Sequence, residues 1–188
     1  MSHNRLQIIS PQNSPHPPQP HSSKGARRQE IEATMERLWL TNPRQFDPQR
    51  DSVQKKRVAN TITMIKKHID LTNKRCVDLG CASGLISRLL RDLGAKVDAL
   101  DISGKALEIL KTTNFQNITP IHDCLPATRL VDNAYDLVVC TEMIGYLQPK
   151  EYRMLFAELA RLVDKDGYAI CSTSFKLGFS SPPTGFAT

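Results

Sequence analysis

The sequence contains few aromatic residues and lacks any long uninterrupted apolar segment. Aromatic side chains make up 6% of its 188 residues. No run of about 18 apolar residues, the length that a membrane-spanning helix needs, is present. The first residues also lack the basic and apolar regions of a secretory signal. We therefore expect a soluble protein that remains in the cytoplasm and does not bind membranes.

Cysteines are few, and none of them shows the paired spacing of a zinc knuckle. The five are Cys76, Cys81, Cys124, Cys140 and Cys171. An odd number without such spacing argues against both a disulfide framework and a structural metal site. We expect small buried thiols in a reducing compartment, and no metal.

Acidic residues are scarce in the first part of the chain. Residues 1–75 carry 14 Lys and Arg against 6 Asp and Glu, whereas residues 76–188 carry 11 against 13. A basic segment can attract nucleic acid, whose binding would weaken steeply with salt. These charges lie on predicted helices without a set of aromatic stacking residues, so solvated helix faces are the favoured interpretation.

Composition and periodicity divide the chain into three regions. Residues 1–28 are rich in Pro, His and Ser and cannot bury enough apolar surface to fold, so we predict a disordered tail. Residues 29–70 form a predicted helical N-terminal cap, with one helix over Gln29–Leu40 and a second that begins with Ser52 as its N-cap. The main domain is predicted over residues 71–188.

Within the main domain, short apolar segments alternate with helical patterns. The predicted strands are Cys76–Leu79, Lys96–Leu100, Ile118–His122, Tyr135–Cys140 and Tyr168–Thr173. The predicted helices between them are Leu85–Leu93, Gly104–Thr112 and Lys150–Val163. This alternation predicts an α/β fold with a doubly wound, mostly parallel sheet and helices on both faces.

Acidic residues stand at three successive strand ends, and a turn of small residues follows the first. Asp78 leads into that turn, which ends at Gly84, and it suits a cationic amino group better than a bare pyrophosphate. Asp101 can accept hydrogen bonds from both ribose hydroxyls, and Asp123 can accept from an exocyclic amine. Because the carboxyl ends of parallel strands share one edge, we expect one ligand to contact all three.

The segment from Cys76 to Thr173 resembles the core of small-molecule, class I S-adenosylmethionine-dependent methyltransferases, which have a Rossmann-like fold. Residues 78–84 match the first motif of that family, and residues 136–141 match the fourth. The resemblance implies S-adenosylmethionine as cofactor, bound by the following residues: Asp78, Gly80, Ala82, Gly84, Asp101, Ile102, Asp123, Cys124, Cys140 and Thr141. Ala82 replaces a family glycine, which a negative φ at this position would allow.

The implied reaction is methyl transfer to an oxygen or nitrogen of a small-molecule acceptor. A base is needed only where the acceptor must lose a proton, and Glu142 and Tyr146 are weak candidates for it. The Asn/Asp-Pro-Pro-Tyr/Phe motif of nucleic-acid amino methylation is absent after the fourth strand, which disfavours DNA bases. By the same resemblance, Trp39 and Phe46 are candidates for a lid over the acceptor pocket.

The resemblance also implies a helix and an antiparallel strand pair after the fifth strand. Residues 174–188 are too few for these elements, so we expect the sheet to lack them. The fifth strand would then be a bare edge that a second copy of the chain or another protein covers. A truncated form of a longer enzyme is the other interpretation.

Three alternative functions remain open at this point, and the third, nucleic-acid modification guided by the basic N-terminal segment, predicts affinity that falls steeply with salt. An NAD-dependent dehydrogenase would need glycine at position 85 in the Gly-x-Gly-x-x-Gly frame, where Leu85 stands. A non-catalytic protein that retains the fold and acts as a regulatory partner is the second alternative. Cofactor binding without methyl transfer would favour that partner role.

Overall fold

Five parallel strands form one sheet in the computed structural model, which describes residues 22–173. The strands are β1 (Arg75–Leu79), β2 (Lys96–Asp101), β3 (Ile118–His122), β4 (Tyr135–Thr141) and β5 (Val163–Ser172). Their order in space is β3-β2-β1-β4-β5, and every pair of neighbours is parallel. The order reverses between β1 and β4, which makes the carboxyl end of β1 the topological switch point where ligands bind in such sheets.

Helices cover both faces of this sheet. The helices are α1 (Ser22–Thr41), α2 (Ser52–His68), α3 (Leu85–Asp92), α4 (Gly104–Lys111) and α5 (Tyr152–Leu162). Short 3-10 turns lie at Pro43–Phe46, Ile144–Tyr146 and Pro149–Glu151. The predicted doubly wound α/β fold is therefore confirmed.

The two faces of the sheet bury separate apolar cores because side chains alternate along each strand. Cys76 of β1 faces the core under α2, α3 and α4, where Leu90 and Leu110 are fully buried. Val77 and Leu79 face the opposite core, which α5 closes. Central strands that are buried on both faces carry continuous apolar runs, and this is why they were visible in the sequence.

The boundary predicted for the N-terminal tail is wrong where the structure describes it. Helix α1 begins at Ser22, so residues 22–28 are helical, while residues 1–21 lie outside the described residues. Arg27 pairs with Glu151, and Arg28 pairs with Asp123. These tertiary partners stabilise a segment whose own composition predicts no structure.

The N-cap of α2 also differs from the prediction. Asp51, not Ser52, caps this helix: its backbone is extended, and its carboxylate accepts a hydrogen bond from the Gln54 amide at 2.8 Å. Both residue types are good caps, so sequence preference alone did not separate them.

Strand β5 begins five residues before its predicted start. Val163 pairs with Tyr135, and Tyr168 pairs with Leu137, so Asp166 and Gly167 lie at an irregularity inside the strand. A Cβ at Gly167 would lie 2.9 Å from the Tyr135 carbonyl oxygen. Glycine therefore permits this close approach of the two backbones. The predicted tail after Thr173 lies outside the described residues.

All five cysteines are free thiols, and Cys76, Cys81 and Cys140 are buried. No helix within residues 22–173 is both long and apolar enough to cross a bilayer. In the same part of the chain, no group of three or more His, Cys, Asp or Glu side chains is placed to hold a metal ion.

Candidate functional site

The carboxyl ends of β1 to β4 open into a cavity of about 1240 Å³. Helix α1, the turn at Pro43–Phe46 and helix α2 supply its outer wall. Sites for one small ligand usually enclose roughly 300–1,000 Å³, so this cavity is larger than one small ligand requires.

Ten of the twelve candidate residues line this cavity. They are Asp78, Gly80, Ala82, Asp101, Ile102, Asp123, Cys124, Thr141, Glu142 and Tyr146. The other two residues, Gly84 and Cys140, do not line the cavity. Gly84 has a φ of +80°, and a side chain there would collide with Leu110 of α4, so this glycine allows α4 to pack closely against the start of α3. Cys140 is fully buried and lies in register with Cys171 on the next strand.

Asp78 is a buried carboxylate at the end of β1. Its side chain accepts a hydrogen bond from the Ser87 hydroxyl at 2.6 Å, and the residue is only 1% exposed. Burial, together with the neighbouring charge of Asp101, raises the pKa of Asp78 to about 6 despite that hydrogen bond. A cation bound here would relieve the cost of the buried negative charge.

The loop after β1 is held by hydrogen bonds to the end of β2. The amides of Gly80 and Cys81 donate to the Leu100 carbonyl at 2.8 and 2.9 Å, and the amide of Ala82 donates to Asp101 Oδ2 at 2.8 Å. Ala82 has a φ of +51°, so the condition under which alanine would readily replace the family glycine, a negative φ, is not met. A left-handed alanine costs about 1 kcal/mol, and the hydrogen bond to Asp101 contributes to holding it.

Asp101 connects this loop to the start of α4. Its Oδ1 accepts from the Ser103 amide at 2.8 Å, and the Ser103 hydroxyl accepts from the amide of Ala106 in the first turn. Burial raises the pKa of Asp101, although the hydrogen bonds from the backbone amides oppose that shift. Each carboxylate oxygen retains acceptor capacity beyond its one amide, so Asp101 can accept from two further hydroxyls.

Asp123 is already surrounded by donors. Its Oδ1 accepts from Arg28 Nη2 and from the Cys124 amide, both at 2.9 Å. Its Oδ2 accepts from the Arg129 amide at 2.9 Å and from Arg129 Nε at 3.3 Å. Burial raises the pKa of Asp123, but the hydrogen bonds from Arg129 and Cys124 outweigh it, and the net shift is downward.

Helix α1 reaches this part of the site through polar contacts on one face. Glu32 pairs with His122 Nε2 at 3.0 Å, and Glu36 accepts from the Ser103 hydroxyl at 3.2 Å. His122 is therefore a half-exposed partner of α1. Sequence reasoning missed Arg28 as a site residue; its spacing of four from Glu32, and of eight from Glu36, was the available signal.

Glu142 lies just beyond β4 with a strained backbone. Its φ is +61°, which is uncommon for a residue other than glycine and is a feature often found at functional sites. Its carboxylate contacts Arg57 Nη1 at 3.1 Å and the Ser172 hydroxyl at 3.3 Å. Tyr146 lies nearby in the cavity wall, and burial raises its pKa, so its hydroxyl is a donor at neutral pH.

The outer wall of the cavity combines polar side chains with an apolar patch. The rings of Trp39 and Phe46, the two predicted lid residues, stack with centroids 4.7 Å apart, and both line the cavity with Met35. Among the described side chains, Gln45 Nε2 is the one buried polar atom without a hydrogen-bond partner. A ligand oxygen in this half of the cavity would satisfy that donor.

The chain is similar in sequence to known methyltransferases. Residues 76–167 match the family described as methyltransferase domain. The ubiquinone biosynthesis O-methyltransferase of Burkholderia vietnamiensis is 31% identical over 113 residues, which are 58% of this chain and 48% of that protein. The Burkholderia multivorans protein of the same name is 30% identical over 117 residues, 60% of this chain and 49% of that protein. The chain thus spans about half the length of these curated relatives.

Solved structures share the fold at lower identity. Phosphoethanolamine N-methyltransferase 1 of Haemonchus contortus, in complex with phosphoethanolamine and S-adenosylhomocysteine, has a TM-score of 0.62 and 21% identity, and the match covers 85% of this chain and 34% of that one. Magnesium protoporphyrin IX methyltransferase of Synechocystis, with bound S-adenosylmethionine, has a TM-score of 0.57 and 22% identity over 71% and 72% of the two chains.

The strand order, the carboxylates at the strand ends and the family match all concern the same segment of the chain. Residues 76–167 therefore match a methyltransferase domain family in sequence and have the Rossmann-like fold of class I, S-adenosylmethionine-dependent methyltransferases.

Proposed function

We propose that this chain binds S-adenosylmethionine and transfers its methyl group to an oxygen atom of a small-molecule acceptor. The observation that carries the proposal is the order of Asp78, Asp101 and Asp123 at adjacent strand ends that line one cavity. This order corresponds to the amino group, the ribose and the base along the cofactor. The buried charges of Asp78 and Asp101 also favour a ligand with a net positive charge.

The protein's part in such a reaction is mainly positioning. The cofactor would supply a methyl group on a cationic sulfur. The residues of this chain hold the two ligands in line, and the N-terminal helices exclude water from the cavity. The size of the cavity and the stacked apolar rings of Trp39 and Phe46 in its outer wall support an acceptor that lies beside the cofactor.

Oxygen is the preferred acceptor atom because the curated relatives carry the name O-methyltransferase. A hydroxyl acceptor must lose its proton, and a carboxylate within hydrogen-bond reach can take it. Glu142 lies in the cavity wall on a strained backbone, whereas the raised pKa of Tyr146 disfavours it as a base. We therefore assign the proton acceptor to Glu142.

We also propose a cytoplasmic location and a covered edge at β5. Within residues 22–173, β5 pairs only with β4, and no described strand covers its other edge. Such an edge readily pairs with another strand. A second copy of the chain would give a mass in sedimentation that rises with concentration, and a strictly monomeric protein would contradict this.

Binding of the cofactor is tested by calorimetry with S-adenosylmethionine and S-adenosylhomocysteine, and with NAD as the unrelated dinucleotide. We expect saturable binding of the first two and none of NAD. Asp101→Asn retains one acceptor for a backbone amide but loses the paired contact with a ribose, so its affinity should fall at least about tenfold.

The matched control is Asp92→Asn, since Asp92 is an exposed carboxylate whose partner is Arg91 on the same helix. It should bind as the wild type does, and thermal melts confirm that both variants are folded. A folded wild-type protein that binds neither ligand would overturn the proposed function.

Asp78→Asn should weaken cofactor binding and stabilise the free protein at the same time. The pKa of Asp78 lies at about 6 against a reference of 3.8, which corresponds to about 3 kcal/mol of destabilisation when it is ionised. The protonated Asp78 side chain does not destabilise the folded protein, and it is fully protonated below the pKa of about 3.8 that it has in the unfolded chain. This favourable state is lost as the pH rises through the folded-state pKa of about 6, because the buried carboxylate then ionises. Urea unfolding at pH 8 should therefore show the variant about 1–3 kcal/mol more stable, with the advantage vanishing near pH 4.

The result that would contradict this prediction is an unchanged affinity for S-adenosylhomocysteine. A difference in stability that does not depend on pH would also contradict it, because the effect would then not come from the ionisation of Asp78.

Glu142→Gln should reduce turnover without reducing cofactor affinity. With an acceptor found in a panel of aromatic hydroxyl compounds, kcat should fall about 10²-fold or more, because the variant cannot take the proton. The dissociation constant of S-adenosylhomocysteine should stay within about threefold. Glu108→Gln, an exposed glutamate on α4 that pairs with Lys105, is the control and should retain kcat. Retention of kcat in Glu142→Gln would exclude Glu142 as the base.

A further inference from the structure

Two cysteines lie opposite each other on the last two strands of the sheet. Cys140 of β4 and Cys171 of β5 are register partners on these parallel strands. Residues paired in this way point their side chains to the same face of a sheet, and both cysteines pack in the core that α5 closes. The strand registers place no other two cysteines of residues 22–173 opposite each other.

The spacing of the two cysteines is compatible with a disulfide. Neighbouring strands lie about 4.8 Å apart, and a disulfide joins residues whose Cα atoms are roughly 4.4–6.8 Å apart. The two thiols are already in contact, because their side chains share a hydrogen bond. A bond between the sulfur atoms therefore does not require the strands to separate or to change register.

The two thiols differ in exposure and in acidity. Cys140 is fully buried, whereas Cys171 is only partly buried. The hydrogen bond from Cys140 lowers the pKa of Cys171 to about 7, although partial burial opposes the shift. The same hydrogen bond, together with burial, raises the pKa of Cys140. Because the thiolate is the reactive form, Cys171 is the member of the pair that reacts first with an oxidant.

The remaining cysteines lack this combination of features. Cys76 and Cys81 are buried, and burial raises the pKa of both thiols. Cys124 is partly buried and lines the cavity, but burial raises its pKa as well. In a compartment that keeps thiols reduced, a disulfide is usually transient and serves catalysis or redox sensing.

The cysteine pair adjoins the wall of the cavity. Thr141 and Glu142 follow Cys140 directly along the chain, and both line the cavity. The Glu142 amide donates to the carbonyl of Ser172, the residue after Cys171, at 2.7 Å. A covalent change at the cysteine pair therefore occurs directly beside the candidate site.

We propose that Cys140 and Cys171 are a reversible oxidation site, at which hydrogen peroxide produces a disulfide between β4 and β5. The Cys171 thiolate attacks one peroxide oxygen, so that an S–O bond forms and the O–O bond breaks, and the departing hydroxide takes a proton from solvent. The Cys140 sulfur then attacks the Cys171 sulfur: the S–S bond forms, the S–O bond breaks, and the thiol proton leaves with the hydroxyl as water. The two thiols lose two electrons, and the peroxide is reduced to two waters.

Mass spectrometry of the full-length protein after treatment with hydrogen peroxide tests this proposal, and it does not depend on the proposed function. The wild type should lose the mass of two hydrogen atoms and two of its five free thiols, and one cross-linked peptide pair should contain Cys140 and Cys171. Dithiothreitol should restore the starting mass. Cys171→Ser should abolish the cross-link. In Cys140→Ser, the Cys171 thiol lacks its partner and should gain one oxygen, which dimedone traps as sulfenic acid.

Cys124→Ser is the matched control, because it also removes a partly buried thiol, and it should form the cross-link as the wild type does. Thermal melts establish which variants are folded, and Cys171→Ser decides the question if the change at the buried Cys140 prevents folding. A folded wild-type protein that forms no disulfide between Cys140 and Cys171 would overturn the proposal. A cross-link of the same mass in folded Cys171→Ser, or one that joins two chains, would overturn it as well.

Discussion

The carboxylate of Asp101 is the interaction on which the geometry of the site depends most. It accepts one hydrogen bond from the backbone amide of Ala82, in the loop after β1, and one from the backbone amide of Ser103, at the start of α4. These hydrogen bonds fix the relative position of two strand ends on the same edge of the sheet. The loop after β1 contains a left-handed alanine, and this conformation persists because the surrounding contacts determine it.

Burial of negative charge is the second constraint. Asp78 and Asp101 are both buried at neighbouring strand ends, and burial raises the pKa of each. A structure selected for stability alone would avoid this arrangement, since well-packed apolar residues would cost less. The unfavourable charge becomes useful once a cationic ligand binds, because that ligand removes the penalty that the free protein carries.

Helix α1 covers the cavity at the strand ends mainly through polar contacts. Within α1, Met35 and Trp39 are buried, and the rest of its docking consists of ion pairs and hydrogen bonds to the sheet and to α4. Polar docking of this kind contributes less to stability than an apolar interface and is sensitive to salt. The helix is thereby suited to holding particular side chains at the cavity, and Arg28 is the clearest instance.

The sequence alone determined the strands, the turns and the edge of the sheet where the site lies. Its buried strands carry apolar runs and its turns carry glycines, because these are local demands of a parallel sheet on the chain. The acids at the strand ends indicated the edge of the sheet where a ligand binds. Only the tertiary structure decided that residues 22–28 are helical, that Asp123 has Arg28 as a partner, and that Ala82 has a positive φ. Each of these features depends on contacts between residues that are far apart in the chain. Local composition and spacing do not determine such contacts, so they could not predict these features.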